Sequence, residues 1–359
     1  MFTKSSLPKI TLALIVLVTI LALAFTAAGC SSAAVTTSTT PPTTTPTSTA
    51  PASTSAPATT TPPTTSATAP ASSTPLVTPS ATSTPTPSAT VPKPPNPTLL
   101  MASTTSTRDA GILEVLLPIF QTQSGYVVKP NYVGSGASIA LGQQGNADVL
   151  FVHSPDAEIA FMQSGYGIDR RLVMHNYFVV LGPSSDPAKV VGMTDAAAAF
   201  KKIADAKAPF YSRGDNSGTD AAEKAIWAKV GITVKDGSPN NPSWYIEGGA
   251  GTGMLTLLQI ASEKNGYVLS DMATYLFNKS KLNLVLAVQG DPALINVYHV
   301  ISVNPQKYSN VNILGARAFA DFITSKEIQD FIGSYGVAQY GQSLFVPDFG
   351  KTEASLGTK

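Results

Sequence analysis

The sequence predicts an α/β fold built from two lobes with a cleft between them. From Thr98 onward, short apolar runs alternate with amphipathic segments, which is typical of strands and helices that follow one another. Two of the apolar runs, at 148–152 and 177–181, are continuous enough for strands buried on both faces, as in a parallel sheet. The part of the chain beyond Thr98 has about 260 residues, which is enough for two lobes with real cores.

The elements follow from hydrophobic spacing, taken in chain order. Strands are expected at 98–102, 126–133, 148–152, 177–181 and 297–303. Leucines and a phenylalanine recur at helical spacing over 113–120, and further helices are expected at 195–206, 219–230, 254–264 and 316–324. This spacing fits two lobes joined at 177–183 and again near 296–305. We therefore assign 98–180 and 298–359 to the first lobe, and 181–297 to the second.

Residues 1–29 have the order of residues found in an export signal. Lys4 and Lys9 precede an apolar run, and the small residues 27–29 lead directly into Cys30, the only cysteine of the chain. This order resembles the bacterial lipoprotein box, with Ala27 in place of the usual leucine. The resemblance implies cleavage before Cys30, lipidation of its sulfur, and anchoring on the outer face of the cytoplasmic membrane. An uncleaved transmembrane anchor is the alternative, because the apolar run is almost long enough to span a bilayer.

Residues 30–97 consist almost entirely of serine, threonine, proline and alanine. Such a tract cannot bury apolar surface, so we expect a disordered tether that its prolines keep extended. The remainder carries 20 basic against 22 acidic residues and has no cluster of lysine or arginine. We therefore expect no nucleic acid as a partner. An anionic ligand would have to be held by local geometry, because the overall field would not attract it.

Three segments place small, hydroxyl-rich residues at a turn that leads into a helix. They are the first turn (Ser103–Thr107), the second turn (Gly134–Ser138) and the third turn (Ser212–Thr219). A helix N-terminus offers unpaired backbone N–H groups and a partial positive charge, and hydroxyls add donors that rotate to suit a ligand. Arg213 brings a fixed fork of charged donors. Several such turns that converge on one cleft would bind a fully deprotonated oxyanion.

Each turn also has a purely structural interpretation, and other kinds of site find less support. Serine and threonine before a helix are usually caps, and Ser217 with Asp220 resembles a capping box. The glycine-rich loop 248–253 does not complete a dinucleotide fingerprint. The three histidines lack metal-ligand spacing and are expected to be structural. No nucleophile, base and orienting group come together in the sequence, which predicts a binding protein and not an enzyme.

The globular part as a whole resembles the tungstate-binding proteins of ABC importers. The resemblance rests on stretches whose order and spacing hold from about Thr98 to Pro347: 103–107 (STTST), 133–136 (VGSG), 146–153 (NADVLFVH), 165–171 (GYGIDRR), 212–219 (SRGDNSGT) and 267–271 (YVLSD). It implies a periplasmic-binding-protein-like fold of the second class, with the ligand in the cleft between the lobes. It also implies a membrane permease as partner, and we expect a monomer without a cofactor.

The same resemblance implies which residues bind the oxyanion, with tungstate as the first candidate and molybdate as the second. They come from all three turns: Thr104, Thr105, Ser135, Arg213, Ser217 and Thr219. Two positions depart from the family pattern. Ser103 stands where the family usually has threonine, and keeps the hydroxyl. Met272 stands where an arginine is common, which leaves the role of that position open.

Two alternatives remain open at this point. Residues 213–219 also resemble the corresponding segment of phosphate-binding proteins, so phosphate, like sulfate, is an alternative ligand. Phosphate keeps a proton near neutral pH and benefits from a carboxylate acceptor, whereas a buried carboxylate would repel tungstate, molybdate or sulfate. The sequence does not decide whether Asp215 faces the ligand. The alternative of a different class is a cell-surface adhesion module that is carried on the tether.

Overall fold

The computed structural model describes residues 93–249 and 251–357. The export segment, Cys30 and nearly all of the tether lie outside these residues, so the expectations about them stay predictions. Within the described ranges, no helix has both the length and the apolar character needed to cross a membrane.

The strands and helices of the described part alternate along most of the chain. The strands are β1 (Thr98–Thr104), β2 (Val127–Val133), β3 (Val149–Val152), β4 (Gly167–Pro183), β5 (Phe210–Ser212), β6 (Tyr245–Glu247), β7 (Tyr267–Asp271), β8 (Leu284–Val288), β9 (Ile295–Val303) and β10 (Val346–Pro347). The α-helices are α1 (Thr105–Asp109), α2 (Ile112–Ser124), α3 (Ser135–Gln143), α4 (Pro155–Gln163), α5 (Ala196–Asp205), α6 (Gly218–Lys229), α7 (Met254–Lys264), α8 (Met272–Asn278), α9 (Ile313–Ile323), α10 (Lys326–Ser334) and α11 (Val337–Tyr340). Short 3-10 helices occur at Lys279–Lys281, Pro292–Leu294 and Glu353–Leu356.

Two sheets share the long strand β4. Its first part, up to Tyr177, belongs to the first sheet, in which the strands lie in the order β2-β1-β3-β9-β4. β10 also pairs with this part of β4. From Phe178 the same strand pairs with β7 and β8, and the second sheet continues through β5 to β6. The chain thus passes from the first sheet to the second within one strand. It returns to the first sheet at Ile295, where β9 begins.

Each sheet is covered by helices on both faces. In β3, Val149 and Phe151 pack into a core with α2 and α9, while Leu150 and Val152 pack on the opposite face with α3 and α4. The second sheet has the same arrangement, since residues of α5 and α6 cover one face and residues of α7 cover the other. Alternating side chains of a strand point to opposite faces. The continuous apolar runs of the sequence are therefore explained by sheets that are buried on both sides.

The predicted α/β class is confirmed, but one statement about strand direction is wrong. β3 is parallel to β1, as predicted, yet antiparallel to β9. The run at 177–181 was expected to be a parallel strand as well, and it pairs antiparallel with β7, β8 and β9. A continuous apolar run reports that both faces of a strand are covered. It does not report the direction of the neighbouring strand, which the connections of the whole chain decide.

Candidate oxyanion site

The first turn is a hydroxyl network at the end of β1. Thr104 is the N-cap of α1, and its Oγ1 lies 3.0 Å from the hydroxyl of Ser106. Thr107 donates its own hydroxyl to the carbonyl of Thr104 over 2.6 Å. Thr105 accepts a hydrogen bond of 3.3 Å from the backbone N–H of Met254, which begins α7 in the second lobe. The first turn is thus held in place by its own hydroxyls and reaches across to the other lobe.

The second turn contacts the third turn directly, backbone against backbone. The N–H of Gly136 donates to the carbonyl of Asn216 over 3.2 Å. A Cβ added at Gly134 would lie 3.2 Å from the Cβ of Ser217. Ser135, the first residue of α3, is fully buried between these two glycines. Because the second turn belongs to the first lobe and the third turn to the second, this contact closes the cleft at that point.

The third turn holds Arg213 by means of a carboxylate from the same loop. Asp215 accepts from Nε of Arg213 at 3.1 Å and from Nη2 at 2.5 Å through one oxygen, and from the N–H of Ser217 at 3.1 Å through the other. Arg213 is only 2 % exposed. Among the described residues, none accepts a hydrogen bond from its Nη1 atom. The guanidinium is therefore fixed along one edge by Asp215, and the other edge is available to an anion.

A second carboxylate, that of Asp220 in α6, braces the backbone of the third turn. One of its oxygens accepts from the N–H of Gly214 at 3.2 Å, and the other accepts from the N–H of Asn216 at 3.0 Å. Burial raises the pKa of Asp220, and the ammonium of Lys224, at 2.6 Å from the second oxygen, opposes that rise. The loop that carries Arg213 is thus held by hydrogen bonds of the protein itself, which lowers the ordering cost of binding.

The structure brings all the predicted site residues to the region where the two lobes meet, and all are buried. Thr104 and Thr105 start α1, Ser135 starts α3, and Thr219 is the second residue of α6. The hydroxyl of Thr219 makes no hydrogen bond to a described residue, so its donor is available to a ligand. Ser217 accepts from the N–H of Asp220 at 3.2 Å, which is the helix cap considered above. Its role as a ligand therefore depends on its remaining hydroxyl hydrogen.

Sequence reasoning missed a residue at the centre of this arrangement, His153. It follows β3, and its ring contacts the hydroxyl of Ser106 in the first turn at 3.1 Å. Its backbone N–H donates to the hydroxyl of Ser135 in the second turn, and a Cβ added at Gly218 would come within 2.3 Å of its carbonyl oxygen. The sequence held two signals: His153 ends the stretch 146–153 of the resemblance, and it stands at the carboxyl end of a buried strand, where α/β proteins bind ligands.

Met272, the position that departs from the family pattern, is the first residue of α8, a helix that contacts the first turn through Thr274 and Ser106. It borders a cavity of about 430 Å³ beside the hinge, where β4 and β9 pass between the two sheets at Asn176 and Asn296; Tyr177 and Gln289 line the same cavity. A second cavity, of about 470 Å³, reaches His153 and Gly218 from the side of α6. Neither cavity is lined by Thr104, Arg213 or Thr219. In the described ranges, no group of three or more histidine, cysteine or acidic side chains is placed to hold a metal ion.

Two α/β lobes that share a crossing strand define a solute-binding protein of the periplasmic class. A family model described as a PBP superfamily domain matches residues 48–327. A tungstate-binding protein TupA of Peptoclostridium acidaminophilum is 42% identical over 256 residues, which cover 71% of this chain and 87% of that protein. The TupA of Campylobacter jejuni is 41% identical over 247 residues, which cover 68% and 88% of the two chains.

A solved structure gives the same result for the fold. The crystal structure of the tungstate ABC transporter from Geobacter sulfurreducens is 39% identical, with a TM-score of 0.59, and the match covers 66% of this chain and 98% of that one. This protein therefore belongs to the PBP superfamily and, within it, to the family that contains these tungstate-binding proteins.

Proposed function

We propose that this protein captures a fully deprotonated tetrahedral oxyanion outside the cytoplasm and delivers it to the permease of an ABC importer. Tungstate is the first candidate and molybdate the second. The observation that carries the proposal is the buried Arg213. One edge of its guanidinium binds Asp215, while the other edge has no acceptor among the described residues. Two of the relatives are named tungstate-binding proteins, which supports the choice of ligand.

The energetics favour an anion at this position. A buried charge is costly unless a partner and hydrogen bonds compensate for its lost hydration. Arg213 supplies a charge-assisted donor, Thr104, Thr105, Ser135 and Thr219 supply hydroxyls, and the N-terminal turns of α3 and α6 supply backbone dipoles of the right sign. A tetrahedral dianion offers four oxygens that can accept from these donors at the same time.

The carboxylates of the third turn favour an anion without a proton. Both oxygens of Asp215 and both oxygens of Asp220 already accept hydrogen bonds from their own loop. Asp215 is paired with the guanidinium of Arg213, and Asp220 is directed at the backbone of the same loop. Carboxylates that bind their own loop in this way favour tungstate, molybdate or sulfate over phosphate as the ligand.

The proposal extends to the cellular setting. We expect export, lipid attachment through Cys30, and a monomeric binding domain on an extended tether, with the permease as its membrane partner. The proposed role is ligand binding and not catalysis. The support is the order of residues in 1–30, the composition of 30–97 and the transporters to which the relatives belong.

Calorimetric titration of the purified protein with tungstate, molybdate, sulfate and phosphate tests the proposal. We expect the tightest binding for tungstate or molybdate and the weakest for phosphate. A melting temperature that rises with the same ligand order would agree, because a ligand that binds only the native state stabilises it by mass action. Phosphate binding more tightly than the other three would refute the proposed ligand class.

A further inference from the structure

A chain of buried amides runs along the hinge between the two lobes. Asp271 accepts from the N–H of Thr274 at 2.8 Å through Oδ1, so this oxygen is an acceptor. The amide nitrogen of Asn176, on β4, donates to the same oxygen at 3.3 Å. The oxygen of Asn176 therefore faces Asn296, on β9, whose amide nitrogen donates to it at 2.8 Å. The two strands that cross between the lobes are thus joined side chain to side chain.

This chain determines which nitrogen of His153 carries the hydrogen. Since the amide nitrogen of Asn296 is directed at Asn176 and at the hydroxyl of Tyr298, its oxygen is the atom that faces Nδ1 of His153, at 2.9 Å. Nδ1 must then be the donor. In a neutral imidazole the other nitrogen is an acceptor. Nε2 consequently accepts from the hydroxyl of Ser106, 3.1 Å away in the first turn.

The environment of His153 keeps the ring neutral. Burial lowers its pKa to about 4, and the nearby charge of Arg213 acts in the same direction, against Glu158 and the bond to Asn296. Both ring nitrogens are engaged by protein partners, so the ring itself has no donor left for an anion. The backbone of the same residue meets the other two turns, at Ser135 and at Gly218.

We propose that His153 is a positioning residue of the oxyanion site. It holds Ser106 and the first turn in register with the second and third turns, and it connects these turns to the hinge through Asn296. It acts on affinity without touching the ligand. The inference rests on the proposed function, because it concerns the same site. It assigns a role in binding to a histidine that sequence spacing classifies as structural.

Substitutions that keep one or the other hydrogen bond test this role. In His153→Gln the amide group lies about where Nε2 was, and can still accept from Ser106. In His153→Asn it lies about where Nδ1 was, and can still donate to Asn296. His153→Phe keeps the ring shape and loses both bonds. The matched control is His175→Phe, because His175 is also buried in the first lobe, where its Nδ1 bonds Asp348 and not a residue of the three turns.

Affinity for tungstate and the melting temperature are measured for each variant. We expect His153→Phe to bind at least about tenfold more weakly, from the loss of two buried neutral hydrogen bonds. We expect His153→Gln to recover part of this loss and His153→Asn to recover less, and His175→Phe to change stability with an unchanged affinity. Unchanged affinity in His153→Phe, or equal losses in His153→Phe and His175→Phe, would overturn the inference.

The tautomer provides a second measurement that does not depend on a variant that folds. Nitrogen-15 spectra of the histidine rings in the parent protein should show His153 neutral, with the hydrogen on Nδ1. A hydrogen on Nε2 would overturn the inference even if every variant failed to fold. A parent protein that binds none of the four oxyanions would instead overturn the proposed function, so the two failures are distinguishable.

Discussion

Gly218 begins α6 at the contact between the two lobes, and its replacement by alanine would place a methyl group in that contact. The added Cβ would lie 2.3 Å from the carbonyl oxygen of His153 and 2.7 Å from its Nδ1. Gly136 meets the third turn in the same way, because its Cβ would lie 2.6 Å from the carbonyl oxygen of Asn216. In both cases the obstacle is backbone of the opposite lobe, which cannot rotate away as a side chain could.

The size of the effect follows from the shortfall in distance. Ordinary contacts of a Cβ begin at 3.4 Å, against 2.3 Å to the carbonyl oxygen here, so the lobes would have to separate by roughly 1 Å at Gly218. Overpacking of this kind typically costs about 1–3 kcal/mol. If closure is coupled to ligand binding, as in hinged binding proteins, Gly218→Ala should weaken tungstate binding by about 5- to 150-fold. Each lobe should remain folded, since alanine is a better helix former than glycine.

The assay is calorimetric titration with tungstate, accompanied by thermal unfolding without ligand. The matched control is Gly333→Ala in α10, where the new Cβ would lie 3.4 Å from its nearest neighbour, an ordinary contact. We expect an unchanged dissociation constant for the control and a weaker one for Gly218→Ala and Gly136→Ala. If Gly218→Ala binds as tightly as the parent, the lobes do not need this contact in the bound state, and the reasoning is refuted.

Three further predictions concern charge and the export segment. Arg213→Ala should weaken tungstate binding about thirtyfold or more, and Thr219→Ala should weaken it about tenfold. Arg213→Lys should have an intermediate affinity, because it keeps the charge and loses the planar fork. A titration in which Arg213→Ala binds like the parent would place the site elsewhere. Burial raises the pKa of Glu223 to about 8 from 4.5, so its contribution to stability should be lost as the pH rises from 4.5 through 8. Glu223→Gln should accordingly gain stability relative to the parent over that range in denaturation experiments, and parallel pH curves would contradict this. Mass spectrometry of the membrane fraction should find a chain that begins at a lipid-modified Cys30; a retained export segment would argue for the transmembrane anchor.

The sequence was informative wherever a structural property depends on nearby residues. Hydrophobic spacing predicted helices that the structure has at α5, α6, α7 and α9, with limits that agree within a few residues. It also predicted the strands β1, β2, β3 and β9, because the local order of apolar and polar residues reflects which side chains of a strand are buried. The strands β5, β6, β7, β8 and β10, of two to five residues each, were not predicted, because segments this short carry little pattern that distinguishes a strand from a loop.

The chemical nature of the candidate site was also visible in the sequence, because the residue types in a turn before a helix determine which hydrogen-bond donors the turn contains. The arginine and the hydroxyls of the three turns follow from the sequence alone, although their role in binding stays a prediction. Even the partner of Arg213 is only two residues away. The sequence left open whether Asp215 would face the ligand, and the loop geometry decided that it binds the guanidinium and the N–H of Ser217.

Only the tertiary structure decided how distant segments meet. His153 and Asn296 are 143 positions apart, and the bond between them exists because β3 and β9 lie side by side. The antiparallel direction of β4 and the approach of Gly218 to His153 have the same origin. Such contacts depend on the path of the whole chain and leave no periodic signal in either segment. A histidine that is isolated in the sequence can therefore lie at the point where all three turns meet.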